Sequence, residues 1–227
     1  MVGMPVAARI FYPEGTLIWL EADVIIRRES KGQKSLDDFI ASFYGGPGGK
    51  PEIKPYTADE LYAALSETQP YDWRNLFRER IYQVAARAPL GGITAGGWRL
   101  VFHDEPTEMT KSGEAVTKGV NLRYSVGLVT DAEGHISDVM ANGPAAKAGL
   151  APGTQVIAVN GRQFSKASAR AEIKAAKNTT VPLEFLVKDG DYYRTYRVDC
   201  HTGDLYPDLE RDASKPDLLT QIVSAKK

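Results

Sequence analysis

The sequence predicts an α+β protein, in which a helical segment is followed by a small β-rich domain with one long and one short helix. Apolar residues recur at helical spacing in the first part of the chain, and short β-type runs fill the second part. A glycine-rich break near Pro89 separates the two parts. The predicted segments are a helical part at 1–90, a connector with one strand at 91–118, the β-rich domain at 119–203 and a tail at 204–227.

The composition is that of an ordinary globular protein. The 227 residues include 28 Lys and Arg and 29 Asp and Glu, so the formal net charge is −1. This balance argues against a nucleic-acid partner, which needs a dense positive surface. The single cysteine excludes an intrachain disulfide and a cysteine-rich zinc site, and the three histidines lack metal-motif spacing. We therefore expect no metal site in this chain, and no apolar run is long enough to span a membrane.

Periodicity and capping residues predict four helices in the first part of the chain. The segment from Gly15 to Arg28 is apolar around most of a helical circumference, so it is expected to be largely buried. The expected N-terminal caps of the next three helices are Ser35, Thr57 (with Glu60 at capping-box spacing) and Asp72. In the fourth helix, Ile81 and Val84 are expected to face the core.

The second part of the chain reads as strands with one clear helix. Trp98 to Phe102 is a predicted strand, and the polar segment from Thr107 to Gly119 is expected to be a connector or an exposed hairpin. The further predicted strands are Leu122–Thr130, His135–Met140, Thr154–Val159, Val181–Lys188 and Tyr192–Cys200. Ser165 to Lys177 is the predicted helix, and the tail holds one short amphipathic stretch from Leu218 to Val223.

The strongest local signal is the string from Gly143 to Gly161, GPAAKAGLAPGTQVIAVNG. It describes a turn, a short helix of small residues, a glycine stop and a buried strand that ends in an Asn-Gly turn. This string resembles PDZ domains of the bacterial type, and the resemblance extends from about Leu122 to Cys200. The implied fold is a β-sandwich or barrel with one long and one short helix.

The PDZ resemblance implies a groove that binds an extended peptide or a protein C-terminus by strand addition, between the second strand and the longer helix. The family's carboxylate loop matches Ser125-Val126-Gly127-Leu128, and Gly127 permits close approach of the peptide backbone. The implied pocket for the last side chain is formed by Val126, Leu128, Ala169 and Ile173, and Arg123 adds positive charge nearby. The open alternative is a PDZ domain that packs or gates and never takes a chain end.

A second resemblance covers residues 11–89. The residues that carry it are Phe11-Tyr12-Pro13-Glu14-Gly15, Ser35-Leu36-Asp37-Asp38-Phe39, Tyr56-Thr57-Ala58-Asp59-Glu60-Leu61 and Asp72-Trp73. In this order, and ahead of a PDZ domain, they resemble the C-terminal part of the thermolysin-like catalytic domain in zinc aminopeptidases of the gluzincin type, most of all the glycyl aminopeptidase family. The resemblance implies that the Tyr12 hydroxyl stabilises the oxyanion formed during peptide hydrolysis.

The sequence departs from that family because it lacks the His-Glu-x-x-His helix, which supplies two zinc ligands and the general base. In the family this helix precedes the tyrosine. We therefore expect a C-terminal fragment of a larger peptidase, which is inactive by itself. The expected partner of the fragment is the N-terminal remainder, which would hold the zinc. The implied parent activity is removal of N-terminal residues, with small ones such as glycine as candidates.

Two rival functions remain open at this point. The chain could be a stand-alone PDZ adaptor that binds peptides, with the helical part as a platform. Alternatively, the PDZ domain could be a purely structural packing module. A periplasmic or secreted parent is favoured because this type of PDZ domain is common in envelope proteases, and a cytoplasmic one remains open.

Overall fold

The computed structural model describes residues 6–45, 53–85 and 87–224, with side chains from residue 12 onward. The chain forms two compact units: residues 1–99 with 209–227, and residues 100–208. Strands β1 (Trp98–His103) and β9 (Tyr206–Arg211) form a two-stranded sheet. Among the described helices, none combines the length and apolar character needed to cross a membrane.

The first unit is helical. Its helices are α1 (Val6–Glu29), α2 (Leu36–Phe43), α3 (Ala58–Thr68), α4 (Trp73–Tyr82), α5 (Gly91–Ala95) and α9 (Leu218–Val223). Residues 21–26 of α1 are all buried, which confirms the prediction of a largely buried helix. The helix begins before the expected start at Gly15 and passes through Pro13, so Tyr12 lies within it. One proline removes one backbone hydrogen bond, which a helix of 24 residues tolerates.

Helices α2, α3 and α4 follow the predicted caps Ser35, Thr57 and Asp72, and the side chains of Thr57 and Asp72 accept cap hydrogen bonds. The Thr57 side chain accepts a hydrogen bond from the Glu60 amide, and the Glu60 carboxylate accepts one from the Thr57 amide. The prediction for the end of α4 is wrong, because Ile81 and Val84 are exposed. The buried face of α4 consists of Trp73, Leu76 and Phe77, and the helix ends at Tyr82 before it completes another inward turn.

The glycine-rich segment near Pro89 forms α5 instead of a break. A Cβ atom on Gly92 would lie 2.7 Å from the backbone nitrogen of Glu21, so only glycine lets α5 approach α1 this closely. The core of the unit is formed by Ile18, Ala22, Ile25, Ile26, Phe39, Phe43, Leu65, Trp73, Leu76 and Phe77.

The second unit contains two sheets and three helices. Its strands are β2 (Val120–Leu122), β3 (Leu128–Thr130), β4 (Ile136–Val139), β5 (Gln155–Val159), β6 (Arg162–Gln163), β7 (Leu183–Asp189) and β8 (Tyr192–Val198). They form an antiparallel sheet of order β2-β3-β4 and a second of order β6-β5-β7-β8. The helices are α6 (Glu108–Thr117), α7 (Pro144–Ala148) and α8 (Lys166–Ala175).

Three expectations for this part of the chain are corrected by the structure. The segment expected to be a connector or hairpin forms α6, because the Thr107 side chain caps it by accepting from the Thr110 amide. The strand predicted from Leu122 to Thr130 is divided into β2 and β3 by a turn. The tail contains a strand, β9, as well as the expected amphipathic helix.

Candidate peptide-binding site

The predicted carboxylate loop lies between β2 and β3, and two of its carbonyl groups accept hydrogen bonds from neighbouring segments. The carbonyl of Val126 accepts a hydrogen bond from the Ala145 amide at the start of α7 (2.8 Å). The carbonyl of Gly127 accepts one from the Met140 amide (2.8 Å). Gly127 has a φ of +87°, a conformation that L side chains rarely adopt, so the glycine is required by the turn. The shape of the loop is therefore fixed by contacts within the domain.

The four predicted pocket residues come together in the core of the second unit. Val126, Ala169 and Ile173 are fully buried and Leu128 is 1% exposed. All of them belong to one apolar cluster, which also contains Leu122 of β2. The structure thus brings the predicted pocket together but fills it with the chain's own side chains, and the peptide-binding role of these residues stays a prediction.

Strand β2 runs along the edge of β3 that faces away from β4. It is antiparallel to β3, with Val120 opposite Thr130 and Leu122 opposite Leu128. The carbonyl oxygen of Leu122 accepts hydrogen bonds from two loop amides, those of Ser125 (3.1 Å) and Gly127 (2.9 Å). The PDZ resemblance implies that a bound peptide would pair with this edge of β3 and accept hydrogen bonds from the amides of the loop.

A buried polar network fixes the other side of the loop. The Ser125 hydroxyl donates to Asp204 Oδ1 (3.0 Å) and accepts from the Leu205 amide (2.9 Å). Arg170 of α8 donates to both carboxylate oxygens of Asp204 (2.8 and 2.7 Å) and also to Glu114 of α6. Because the polar groups satisfy one another, their burial is compensated.

The two acidic groups Glu114 and Tyr206 of this network have shifted pKa values. Burial alone would raise the pKa of Glu114, but the hydrogen bond from Lys166 and the charge of Arg170 outweigh it and lower the pKa. The pKa of Tyr206 is raised by burial and by the hydrogen bond that its hydroxyl donates to Asp204. Both shifts favour the charge states that hold the network together, namely an ionised Glu114 and a neutral Tyr206.

Arg123 forms an ion pair with a neighbouring carboxylate. Its guanidinium, which is partly exposed, forms an ion pair with Asp138 of β4, and its amide donates to the Asn121 side chain (3.1 Å). Arg123 therefore stands beside the loop as predicted, but as a member of an ion pair.

Tyr12 lies in the first unit, on the N-terminal part of α1, with 71% of its surface exposed. It lines a cavity of about 780 Å³ together with other aromatic side chains, including Trp19, Tyr62 and Phe77. This cavity is open and contains few charged groups. The catalytic role of Tyr12 stays a prediction.

The described residues contain one group that could hold a cation, formed by Asp131, Glu133 and His135 in the turn between β3 and β4. All three side chains are at the surface. Asp131 Oδ1 already accepts hydrogen bonds from the amides of Glu133 and His135, and its Oδ2 lies 2.9 Å from His135 Nδ1. These contacts explain the cluster as a turn-stabilising motif, and it does not fit the closed or three-ligand sites of zinc enzymes.

Sequence reasoning missed Arg170, Glu114 and Asp204. Arg170 is 34 positions from Asp204 and 56 positions from Glu114 along the chain, so no local sequence spacing relates them. One signal was available in the sequence. Arg170 is a charged residue that directly follows Ala169, which was predicted to line the pocket.

The geometry agrees with the comparison to known proteins. The family model described as "PDZ domain" matches residues 108–188. The chain contains a PDZ domain. No curated protein matches the chain.

Among solved structures, the chain is similar to an aminopeptidase N family protein from Idiomarina loihiensis, with 16% sequence identity and a TM-score of 0.60. The match covers 95% of this chain and 36% of that protein, so the chain spans about a third of its length. A second match is the HtrA3 PDZ domain bound to a phage-derived ligand, with 16% identity and a TM-score of 0.25. It covers 52% of this chain and 95% of that domain. The helical unit and the PDZ domain thus have a fold that occurs in an aminopeptidase N family protein.

Proposed function

We propose that this chain is the C-terminal portion of a zinc aminopeptidase of the glycyl aminopeptidase type, with a PDZ domain that binds peptide and regulates substrate access. The observation that carries the proposal is the fold match to an aminopeptidase N family protein, which takes in 95% of the chain. The ordered segments of residues 11–89, followed directly by a PDZ domain, support it. A periplasmic or secreted location of the parent belongs to the same proposal.

The catalytic contribution of this chain would come from Tyr12. Tyr12 lies on α1 with most of its surface exposed, and its hydroxyl would donate a hydrogen bond to the developing oxyanion. The sequence has no His-Glu-x-x-His motif, and the described cluster at Asp131 does not fit a catalytic zinc. Zinc, which would activate water, therefore has to be held by residues outside this chain.

The PDZ domain would recognise the carboxyl end of a peptide. The backbone amides of Ser125 and Gly127, which bond the Leu122 carbonyl oxygen in this structure, would suit a terminal carboxylate in its place. Peptide backbone would add to the edge of β3 that β2 occupies in this structure, and the last side chain would enter the pocket between Leu128 and Ile173 in place of Leu122. The adaptor function is a second candidate, because the same loop would serve it without the peptidase.

The first test measures the mass and zinc content of the native protein, captured from its source cells with an antibody against this chain. We expect a species much heavier than 24.8 kDa with about one zinc per chain. A metal-free native species of 24.8 kDa would contradict the peptidase and leave the adaptor.

A second test replaces Tyr12 by Phe in the full-length enzyme. Loss of one oxyanion donor should lower kcat by about 10²–10³ with little change in KM. The control is Tyr192→Phe, which removes the hydroxyl of another exposed tyrosine, in the PDZ domain. Equal activity of the Tyr12→Phe enzyme and the wild type would remove Tyr12 from the mechanism.

A further inference from the structure

We infer that β2, Val120–Leu122, is an internal ligand that occupies the peptide groove of the PDZ domain and must be displaced before any peptide binds. The inference rests on the proposed function of the groove as a peptide site and adds how that site is regulated. Three sets of contacts carry it: the pairing with β3, the contacts of Leu122 with the loop, and the contacts of Asn121 with the helices.

The first set concerns the strand edge. Strand addition needs an unpaired edge of β3. One edge of β3 is paired with β4 and the other with β2, so β3 is the central strand of its sheet. β2 is antiparallel to β3, and its last residue, Leu122, lies opposite Leu128, directly after the loop. A peptide that ends at the loop would need this same edge.

The second set concerns the end of β2. The Leu122 side chain is 1% exposed and belongs to the cluster formed by the pocket residues, as the last side chain of a bound peptide would. Its carbonyl oxygen accepts from the amides of Ser125 and Gly127. A neutral carbonyl takes the place of a carboxylate here. Since charged acceptors form the stronger hydrogen bonds, a free chain end has an advantage at this point.

The third set concerns the side of β2 that faces the helices. The Asn121 carbonyl accepts a hydrogen bond from Arg170 of α8 (3.2 Å), and its amide donates to Glu114 of α6 (3.2 Å). β2 therefore makes hydrogen-bonded contacts with β3 on one side and with α8 on the other, as expected for a segment that lies in the peptide groove.

The exposure pattern of β2 indicates which peptides compete. Val120 and Leu122 are each 1% exposed, whereas the Asn121 side chain is exposed. A competing peptide should therefore carry an apolar last residue and an apolar residue two positions before it. The side chain of the residue between these two can be of any type. Because β2 is part of the same chain, its effective concentration at the groove is on the order of millimolar. This competition lowers the apparent affinity of the groove for a separate peptide.

The experiment measures binding of the fluorescent peptide Lys-Gly-Val-Asn-Leu, the sequence of residues 118–122 with a free carboxyl end, by anisotropy. We expect weak binding to the wild-type chain and at least about tenfold tighter binding to Leu122→Ala, whose internal ligand has lost its buried side chain. The control is Val181→Ala, which truncates an exposed apolar side chain of the same domain just before β7, so its affinity for the peptide should match the wild type. The amidated peptide should bind more weakly to Leu122→Ala than the free acid.

The possible failures can be told apart. Tight and equal binding to wild type and Leu122→Ala would overturn the internal ligand and leave the groove as a peptide site. Folded Leu122→Ala that binds no peptide would overturn the peptide site itself, and the inference with it.

Hydrogen exchange on the wild-type chain gives a second measurement that does not depend on a variant. Excess peptide should speed exchange at the backbone amides of 120–122 and leave β7 protected. If the peptide binds and the protection of 120–122 does not change, the inference is wrong.

Discussion

The backbone amide of Gly127 donates a hydrogen bond of 2.9 Å to the carbonyl oxygen of Leu122, so that the loop predicted to hold a peptide end holds the chain itself. This bond closes the turn between β2 and β3, and the positive φ of Gly127 directs the chain from the turn into β3. One glycine therefore determines the shape of the loop and the path of the segment that fills the groove.

Gly127→Ala should destabilise the PDZ domain by about 1–2 kcal/mol, because an L side chain is strained at a φ of +87°. The space itself is sufficient, since the nearest atom to an added Cβ would lie 3.4 Å away. Urea denaturation would measure the change. As a control, Gly113→Ala in the exposed face of α6, where the Cβ meets nothing within 4 Å, should stabilise by up to about 1 kcal/mol. Equal effects of both changes would show that backbone strain at Gly127 is unimportant.

Ser125→Ala should lower the free energy of unfolding by about 1–3 kcal/mol. The change leaves the buried Asp204 carboxylate and the Leu205 amide each without one partner. Ser137→Ala removes an exposed hydroxyl of the same domain and should change stability by less than about 0.5 kcal/mol. Thermal or urea unfolding of both variants would test the difference. A Ser125→Ala protein as stable as the wild type would argue against the importance of the buried network.

Arg170→Met should destabilise the domain by about 3–5 kcal/mol, because it leaves Glu114 and Asp204 as neighbouring buried carboxylates without their shared cation. The matched control is Lys174→Met on the same helix, which breaks an exposed ion pair with Glu105 and should cost less than about 1 kcal/mol. Chemical denaturation of the two variants would compare these costs. Similar decreases in the free energy of unfolding would mean that the buried ion pairs of Arg170 stabilise the domain no more than the exposed pair of Lys174 does.

The stability of the domain should fall in acid partly through Glu114. Its pKa in the folded state is below the ordinary value of 4.5, so the unfolded chain binds more protons near that pH. The contribution is therefore complete well above pH 4.5 and is lost as the pH falls through the folded-state pKa. Unfolding measured from pH 7 to 3 should show that Glu114→Gln is less stable than wild type at neutral pH and that the difference narrows in acid.

The control for this pH dependence is Glu108→Gln, which lies on the same helix and has an exposed carboxylate. Its stability at neutral pH should stay within about 0.5 kcal/mol of the wild type. A constant difference between Glu114→Gln and the wild type at all pH values would contradict the prediction.

Gly92→Ala should destabilise the helical unit by about 1–3 kcal/mol or more, because its Cβ would lie 2.7 Å from the backbone nitrogen of Glu21 and α5 would have to move. Gly15→Ala places the same methyl group on α1 with nothing within 4 Å and should be neutral or stabilising. The helical signal at 222 nm, followed during denaturation, would measure both. No loss for Gly92→Ala would show that α5 adjusts freely.

Local patterns determined much of this protein. Helix starts followed from side chains that bond backbone amides three residues away, as at Thr57 and Ser165. The string from Gly143 to Gly161 identified the PDZ domain, because its glycines and small residues specify turns and a short helix by themselves. The pocket residues Leu128 and Ile173 were predicted from that resemblance, and they meet in one core.

Tertiary structure decided what fills the groove and what supports it. The sequence from 122 to 130 was predicted as one strand because Leu, Tyr, Val and Thr predominate in it, and only the pairing of Leu122 with Leu128 reveals two strands and a turn. The bridge from Arg170 to Glu114 and Asp204 joins three distant positions in the chain. Such contacts depend on how elements pack across the fold, and local periodicity contains no information about which distant partner a charge or a strand edge will meet.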